Sequence, residues 1–430
     1  MFKLTSIKSV ITLGLFFIIG FSNVGNAETT VSAEVQYIFN TFSFLVCGFL
    51  VMWMAAGFCM LESGLVTTKS VSTIVAKNIG KFSIVAIIFY LGGYNLAYGI
   101  PEGGFIGSFT PWTLTDSLEQ GYSGSADWFF QMLFVAATCS IVSGAVAERI
   151  KIWPFFLFVA ILTGVLYPIE MGWQWGGGWL AAKGFSDFAG STLVHAAGGA
   201  AALAGAIILG PRVGRFTSGK NLLPFAASSI PLATLGTFVL WFGWFGFNGG
   251  SQLALGTFAD ASAISTIFIN TNLAAAAGVM VNALITRFVG GKTDVVMMLN
   301  GALGGLVAIT AEPLAPSPIA AICIGGIGAA VVVVGTSLLD KLKIDDVVGA
   351  IPVHLFAGIW GTLAVPITNK DTSFATQFLG TFSVVVFMFV ASIIVWSILK
   401  ATVGIRISDE AQKKGTDVSE IGVRAYAIRD

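Results

Sequence analysis

Long stretches of apolar residues, each interrupted by few charges, run through most of this sequence of 430 residues. A helix that crosses the hydrocarbon core of a bilayer needs about 20 such residues. The chain is 56% hydrophobic and only 10% charged, with a mean hydropathy of +0.87, whereas soluble domains carry about 25% charged residues. So few charges cannot cover a soluble surface. We therefore expect an all-α polytopic membrane protein.

The charge and the cysteine content narrow the classes of function. The formal net charge is zero, which argues against nucleic acid as a partner. The four cysteines, all in apolar stretches and with no close pair, are Cys47, Cys59, Cys139 and Cys323. They predict small core residues, not a disulfide framework or a metal site. We expect no cofactor and no metal.

The first residues have the pattern of a secretory signal peptide. Lys3 and Lys8 precede and border an apolar core at 10–21, and the small residues that end at Ala27 are typical of a cleavage site. We expect residues 1–27 to be removed; the alternative is an uncleaved first span. Either way, residue 28 should face outside the cytoplasm.

The remaining apolar blocks predict eleven transmembrane helices in a membrane domain at 28–400, followed by a cytoplasmic tail at 401–430. The expected spans are 35–61, 79–100, 127–147, 152–173, 187–209, 223–248, 260–288, 294–311, 317–340, 346–367 and 376–400. No segment resembles a soluble catalytic domain, so the function should lie within the membrane and the protein should not be an enzyme.

Basic residues follow every second span. They are Lys69, Lys77 and Lys81 after the first, Arg149 and Lys151 after the third, Arg212, Arg215 and Lys220 after the fifth, Arg287 and Lys292 after the seventh, and Lys341 and Lys343 after the ninth. The other loops contain only two basic residues, Lys183 and Lys370. The positive-inside rule then places the mature N-terminus outside and the C-terminal tail in the cytoplasm of a multi-pass protein of the cell inner membrane.

Two segments share a pattern around the two histidines of the chain. "DFAGSTLVHAAGG" begins at Asp187 and "DVVGAIPVHLFAG" begins at Asp346, and each has Gly three positions on, Val seven on, His eight on and Gly twelve on. The histidines are His195 and His354, five spans apart on helices that run in opposite directions. This predicts an inverted five-plus-five repeat with a final helix, and such repeats place their site near the bilayer midplane.

Eight helical residues cover about 12 Å, so each histidine should lie near mid-bilayer. The alternative is two separately hydrogen-bonded core histidines, although ionisable residues inside a membrane are usually functional. Asp187 and Asp346 each suit a helix N-terminus, where an acid accepts backbone N–H bonds. We favour capping for Asp346 and leave open a second role for Asp187 in holding a cation.

Several motifs make the chain resemble the ammonium transporter/Rhesus (Amt/Rh) family. They are "DFAGSTLVHAAGGAAALAGAIILGPR", "GAVAERI", "WQWGGGWL", "WFGFNGGS" and "VHLFAGIWG", and they occur in the expected order over nearly all of the mature chain. The resemblance implies a homotrimer in which each subunit has eleven spans and its own pore.

The family's functional residues carry over by motif. The resemblance implies twin pore histidines at His195 and His354, a conserved acid at Asp187, an outer ammonium-recruitment site at Phe130, Phe134, Trp175 and Ser251, and a phenylalanine gate at Phe134 and Phe247. The substrates would be ammonium and ammonia, with methylammonium as an analogue.

Physical chemistry agrees with these assignments. A cation in an apolar pore costs several to tens of kcal/mol, and cation–π contacts return only about 0.5–2 kcal/mol each. Ammonium can lose its proton and pass as ammonia, and histidine titrates near neutral pH, so the twin histidines are expected to relay that proton. The alternative for any single aromatic residue is an interfacial belt.

Other functions remain open. An ammonium sensor with little flux would normally need an output domain, for which the tail is short. A passive ammonia channel would differ only in that the proton of ammonium does not cross the membrane. A zinc enzyme would need three or four ligands, and no third histidine exists. PII-type signal proteins dock on family tails, but Ile421, Val423 and Arg424 depart from the usual polar ending, which puts PII docking in doubt.

Overall fold

The computed structural model describes residues 31–216 and 225–426, so the signal peptide expected at 1–27 lies outside the described residues. Within them, nine helices are long and apolar enough to cross a membrane and two further apolar helices are shorter. We label them α1–α11: Ala33–Leu65, Val71–Tyr98, Gly124–Ala145, Ile152–Gly172, Ser191–Leu209, Ile230–Gly250, Phe258–Gly290, Val295–Ile309, Pro318–Lys341, Pro352–Thr368 and Phe374–Thr402. The expected eleven-helix, all-α membrane fold is confirmed.

The second helix differs from its expected position. It begins at Val71, eight residues before the expected start at 79, and it carries Lys77 and Lys81 into the protein interior, where each is 1% exposed. The interpretation of these two lysines as loop charges is therefore wrong. They are buried because α1 and α3 supply polar partners for them.

Four further expectations need correction. α5 begins at Ser191 instead of 187 and α10 at Pro352 instead of 346, because a capping turn precedes each helix. α6 begins at Ile230 instead of 223. Cys323 is exposed, not a core residue, since an outward face in a membrane meets lipid and apolar side chains need not be buried there.

Glycines let the two halves of the fold approach closely. A Cβ at Gly57 of α1 would lie 2.9 Å from the backbone nitrogen of Leu240 on α6, and a Cβ at Gly199 of α5 would lie 2.8 Å from Cα of Leu355 on α10. Small residues are used in this way where helices pack in lipid. The contact between α5 and α10 sets the distance between the two histidines.

The C-terminal segment returns to the loops that connect the helices. Ile150 and Arg406 form an isolated antiparallel bridge, and a short helix, Asp409–Lys414, follows. Oδ1 of Asp417 then accepts a hydrogen bond of 2.8 Å from the backbone nitrogen of Thr73 in the first turn of α2. The segment is thus an integral part of this end of the bundle.

Candidate functional site

The two histidines lie against each other in the middle of the bundle. Nδ1 of His354 is 3.1 Å from Nδ1 of His195, and the ring centroids are 5.1 Å apart with an interplanar angle of 24°. Both side chains are buried, at 0% and 3% exposure. A hydrogen bond between two Nδ1 atoms requires one of them to donate and the other to accept, so the pair shares one proton along this contact.

The same backbone device positions both histidines. Gly190 has φ 108° and Gly349 has φ 79°, left-handed values that glycine adopts without steric cost. Each glycine ends the capping turn, and a π-helical segment that contains the histidine follows directly or within three residues, at Ser191–Ala196 and Pro352–Phe356. The glycine that recurs three positions after each aspartate is thus required by the turn.

The two aspartates cap these segments. Asp187 accepts four backbone hydrogen bonds of 2.8–2.9 Å, from residues 190–193. Asp346 accepts two, of 3.1 Å from Gly349 and 2.7 Å from Ile351. Both have the geometry of a helix N-cap, in which a carboxylate also suits the positive end of the helix dipole.

Aromatic side chains enclose His195 on one side. Its ring stacks on Trp244 at a centroid distance of 4.9 Å and lies 5.4 Å from the ring of Phe247. Trp244 is itself fixed by a hydrogen bond of 2.8 Å from Nε1 to Oγ1 of Thr310. Nε2 of His195 is buried and has no hydrogen-bond partner among the described residues, so this nitrogen retains its capacity to form one hydrogen bond.

Phe134 and Phe247, the expected gate, stack directly on each other. Their ring centroids are 4.0 Å apart at an interplanar angle of 25°, and both residues are buried. The ring of Phe247 also lies 5.4 Å from that of His195. The stacked pair therefore separates the histidines from the cavity beyond Phe134.

That cavity, which we call the vestibule, has a volume of about 280 Å³. Its lining consists of Tyr94, Tyr98, Gln120, Tyr122, Asp127, Phe130, Gln131, Phe134, Trp175, Phe188, Ser251 and Leu253. All four expected recruitment residues are in this set, so the structure brings them together. Trp175 also donates from Nε1 to the backbone oxygen of Asp187 at 2.9 Å, which links the vestibule wall to the cap of α5.

Sequence reasoning missed an acid in the vestibule. Asp127 is 6% exposed and accepts hydrogen bonds from the Tyr94 hydroxyl at 2.5 Å and from Nε2 of Gln131 at 3.1 Å. Its position could have been recognised, because it precedes Phe134 by seven residues on a helix and therefore lies on the same face. It places a carboxyl group in a cavity whose lining is mainly aromatic.

Comparisons with known proteins agree with this geometry. The chain matches the Ammonium Transporter Family over residues 42–426. It is 39% identical over 412 residues to the ammonium transporter Amt2 of Archaeoglobus fulgidus, and this match covers 89% of this chain and 87% of that protein.

Two solved structures are similar throughout. A structure entitled sensor Amt protein has a TM-score of 0.84 and 31% identity, and the match covers 91% of this chain and 100% of that one. The crystal structure of Candida albicans Mep2 has a TM-score of 0.80 and 27% identity, with 92% of each chain covered. This chain is therefore a multi-pass membrane protein that belongs to the ammonium transporter family, whose substrates are ammonium and ammonia.

Proposed function

We propose that this protein captures ammonium in the vestibule, removes one proton at the phenylalanine gate and conducts ammonia past the histidine pair. The supporting observation is the continuous line of contacts from Phe134 through Phe247 to His195. A permeant that leaves the vestibule by this line meets two aromatic rings and then two imidazoles.

The vestibule suits a small cation before its desolvation. Phe130, Phe134 and Trp175 offer ring faces, each worth about 0.5–2 kcal/mol to a cation. The hydroxyl of Ser251 donates to the backbone oxygen of Phe247 at 2.9 Å, which leaves its lone pairs to accept from ammonium. The buried carboxylate of Asp127 adds long-range attraction.

The gate selects by charge. Several kcal/mol or more are needed to take a cation between two stacked rings, and these contacts do not offset that cost. Ammonium avoids the cost by losing a proton, whereas potassium keeps its charge. The apolar gate therefore admits ammonia and excludes metal cations.

The histidines carry the released proton. The free Nε2 of His195 accepts it, and the contact of 3.1 Å between the two Nδ1 atoms passes a proton to His354, so that transport is electrogenic. A passive ammonia channel would use the same pore without this relay.

We extend the proposal to the orientation, location and assembly of the protein. The vestibule end faces outside the cytoplasm, residues 1–27 are a cleaved signal peptide, and the membrane domain at 28–400 forms a homotrimer in the cell inner membrane with the tail at 401–430 in the cytoplasm. Methylammonium is an alternative substrate. A PII-type protein as a partner has weaker support, because Ile421 and Val423 change the character of the tail.

Proteoliposomes test this mechanism. We expect ammonium uptake with an ammonium-evoked current in the wild type, and no potassium current. His195→Asp and His354→Glu should lower the ammonium current at least tenfold or admit potassium. Ser383→Ala should change neither, because this half-buried residue of α11 does not line the vestibule. Wild-type values in both histidine variants would refute the role of the pair.

The likeness to a sensor Amt protein favours ammonium sensing as a second candidate function. A sensor would bind ammonium in the vestibule but transport very little. Uptake no faster than that of protein-free vesicles, together with saturable ammonium binding to the purified protein, would identify a sensor.

A further inference from the structure

A second small cavity lies on the opposite side of the histidine pair from the vestibule. We call it the inner cavity, and its lining includes Phe58, Glu62, Ser140, Asn300 and His354. About 10 Å³ of it is accessible to the centre of a water-sized molecule, which is about what one water or ammonia molecule requires. A molecule that has passed the histidines therefore enters a space that also borders a carboxylate.

Glu62 is the ionisable group of this cavity that the proposed transport steps do not use. Its side chain is 1% exposed, and Oε2 accepts a hydrogen bond of 2.7 Å from the hydroxyl of Ser143. Oε1 has no hydrogen-bond partner among the described residues; Nζ of Lys81 is 3.6 Å away, as an ion pair. One buried oxygen thus retains its capacity to accept an N–H donor.

The lysines around Glu62 have other anchors. Nζ of Lys81 donates to Oδ1 of Asn78 at 2.7 Å, and Nζ of Lys77 donates to the backbone oxygen of Ser143 at 2.8 Å. Lys81 also lies over the ring of Phe58, at 5.7 Å from its centroid. Neither lysine belongs to the cavity lining, so a second cation can approach the carboxylate of Glu62 from the cavity side.

We infer that Glu62 forms an inner ammonium site, at which ammonia recovers its proton and the resulting cation pairs with the carboxylate before it leaves. This inference rests on the proposed function. An imidazolium N–H bond of His354 breaks and a fourth N–H bond forms on ammonia, so the proton released at the gate is returned and the histidine pair becomes neutral again. A cation formed in a buried, largely apolar cavity needs a nearby negative charge, and Glu62 supplies it.

Glu62→Gln tests the site, because glutamine keeps the size and the oxygen acceptor for Ser143 but removes the charge. The readout is the ratio of ammonium-evoked current to uptake of isotopically labelled ammonium in proteoliposomes. We expect this ratio to fall at least fivefold while uptake continues, since ammonia then leaves without its proton. Glu312→Gln is the matched control and should keep the wild-type ratio. The carboxyl of Glu312 accepts a hydrogen bond from Nδ2 of Asn369 and lines neither cavity.

A double variant separates this role from that of a counter-ion. If Glu62 only neutralises Lys81, Glu62→Gln combined with Lys81→Met restores the wild-type ratio, and the inner site is refuted. If Glu62 binds ammonium, the ratio stays low in the double variant, which also serves as the test should the single variant fail to fold. A wild-type ratio in a folded Glu62→Gln protein equally refutes the site. A wild type without ammonium current refutes the relay of the proposed function, and the inner site with it.

Discussion

The two halves of the repeat share one backbone design but differ in what surrounds their histidines. His195 faces the gate and stacks on Trp244, whereas His354 borders the inner cavity with Glu62. Asp187 accepts four backbone hydrogen bonds and Asp346 accepts two. Pseudo-symmetry thus brings the rings together, and the differences between the halves give the pathway two unlike ends.

The largest expected single loss of stability is at one of the two caps, Asp187. In Asp187→Asn, the amide nitrogen would face two of the four N–H donors, and each charge-assisted bond lost costs about 1.5–3 kcal/mol. We expect a loss of about 4 kcal/mol in unfolding free energy. Asp346→Asn loses one such bond, about 2 kcal/mol. Unfolding of both variants in mixed micelles measures this, and equal losses would contradict the assigned asymmetry.

The residues that directly precede the two caps, Asp345 and Ser186, should also differ in how much their substitution destabilises the protein. Asp345 receives hydrogen bonds of 2.8 Å from Nε and Nη2 of Arg212, whereas Ser186 uses only its backbone groups, in bonds with Gln377. Removal of one partner of a buried ion pair costs about 3–5 kcal/mol. We expect about 3 kcal/mol for Asp345→Asn and less than about 0.5 kcal/mol for Ser186→Ala, the usual size of a neutral substitution.

This ion pair also has a pH signature. Burial opposes ionisation of Asp345, but its hydrogen bonds with Arg212 and the charge of that residue outweigh burial and lower the pKa of the carboxyl to about 2. The unfolded carboxyl has a pKa of about 4, so the stabilisation is complete above pH 4 and is lost as the pH falls towards 2. The stability difference between wild type and Asp345→Asn should shrink over that interval; a constant difference would contradict the assignment.

The turn glycines give the next comparison. A Cβ at Gly190 would lie 2.5 Å from Cγ2 of Val194, in a backbone conformation at φ 108°. At Gly349, with φ 79°, closer to the ordinary left-handed region, it would lie 2.5 Å from Nδ2 of Asn300. Backbone strain of this kind costs about 1–3 kcal/mol. We expect Gly190→Ala to lose about 2 kcal/mol and Gly349→Ala about 1 kcal/mol, measured by the same unfolding assay. The reverse order would show that the contact with Asn300 outweighs the difference in backbone conformation.

The smallest expected effect concerns cation capture at one end only. Trp175 offers a ring to ammonium in the vestibule, and the loss of one cation–π contact of about 1 kcal/mol corresponds to a several-fold higher KM. Trp175→Leu should therefore raise the KM for uptake from the vestibule side about fivefold and leave the KM for transport from the other side unchanged. Equal changes in both directions would mean that the substitution alters the pore as a whole.

Much of this was predictable from the sequence. The number of spans followed from apolar length, and the recurrence of Asp, Gly and His at fixed spacing predicted that His195 and His354 share a design. The resemblance to the family supplied Phe130, Trp175 and Ser251, which the structure places together in the vestibule. Asp127 was missed although its helical spacing from Phe134 was visible.

The sequence by itself determined that the chain spans a membrane, where eight of the eleven helices begin to within four residues, and that two histidines occupy equivalent places in an inverted repeat. Only the tertiary structure decided that Lys77 and Lys81 are buried and that Glu62 lies beside the inner cavity. The physical reason is that lipid and protein interior are both apolar, so hydropathy reveals that a helix is in the membrane but not which of its faces meets another helix. Close packing at glycines such as Gly57 and Gly199 fixes those faces.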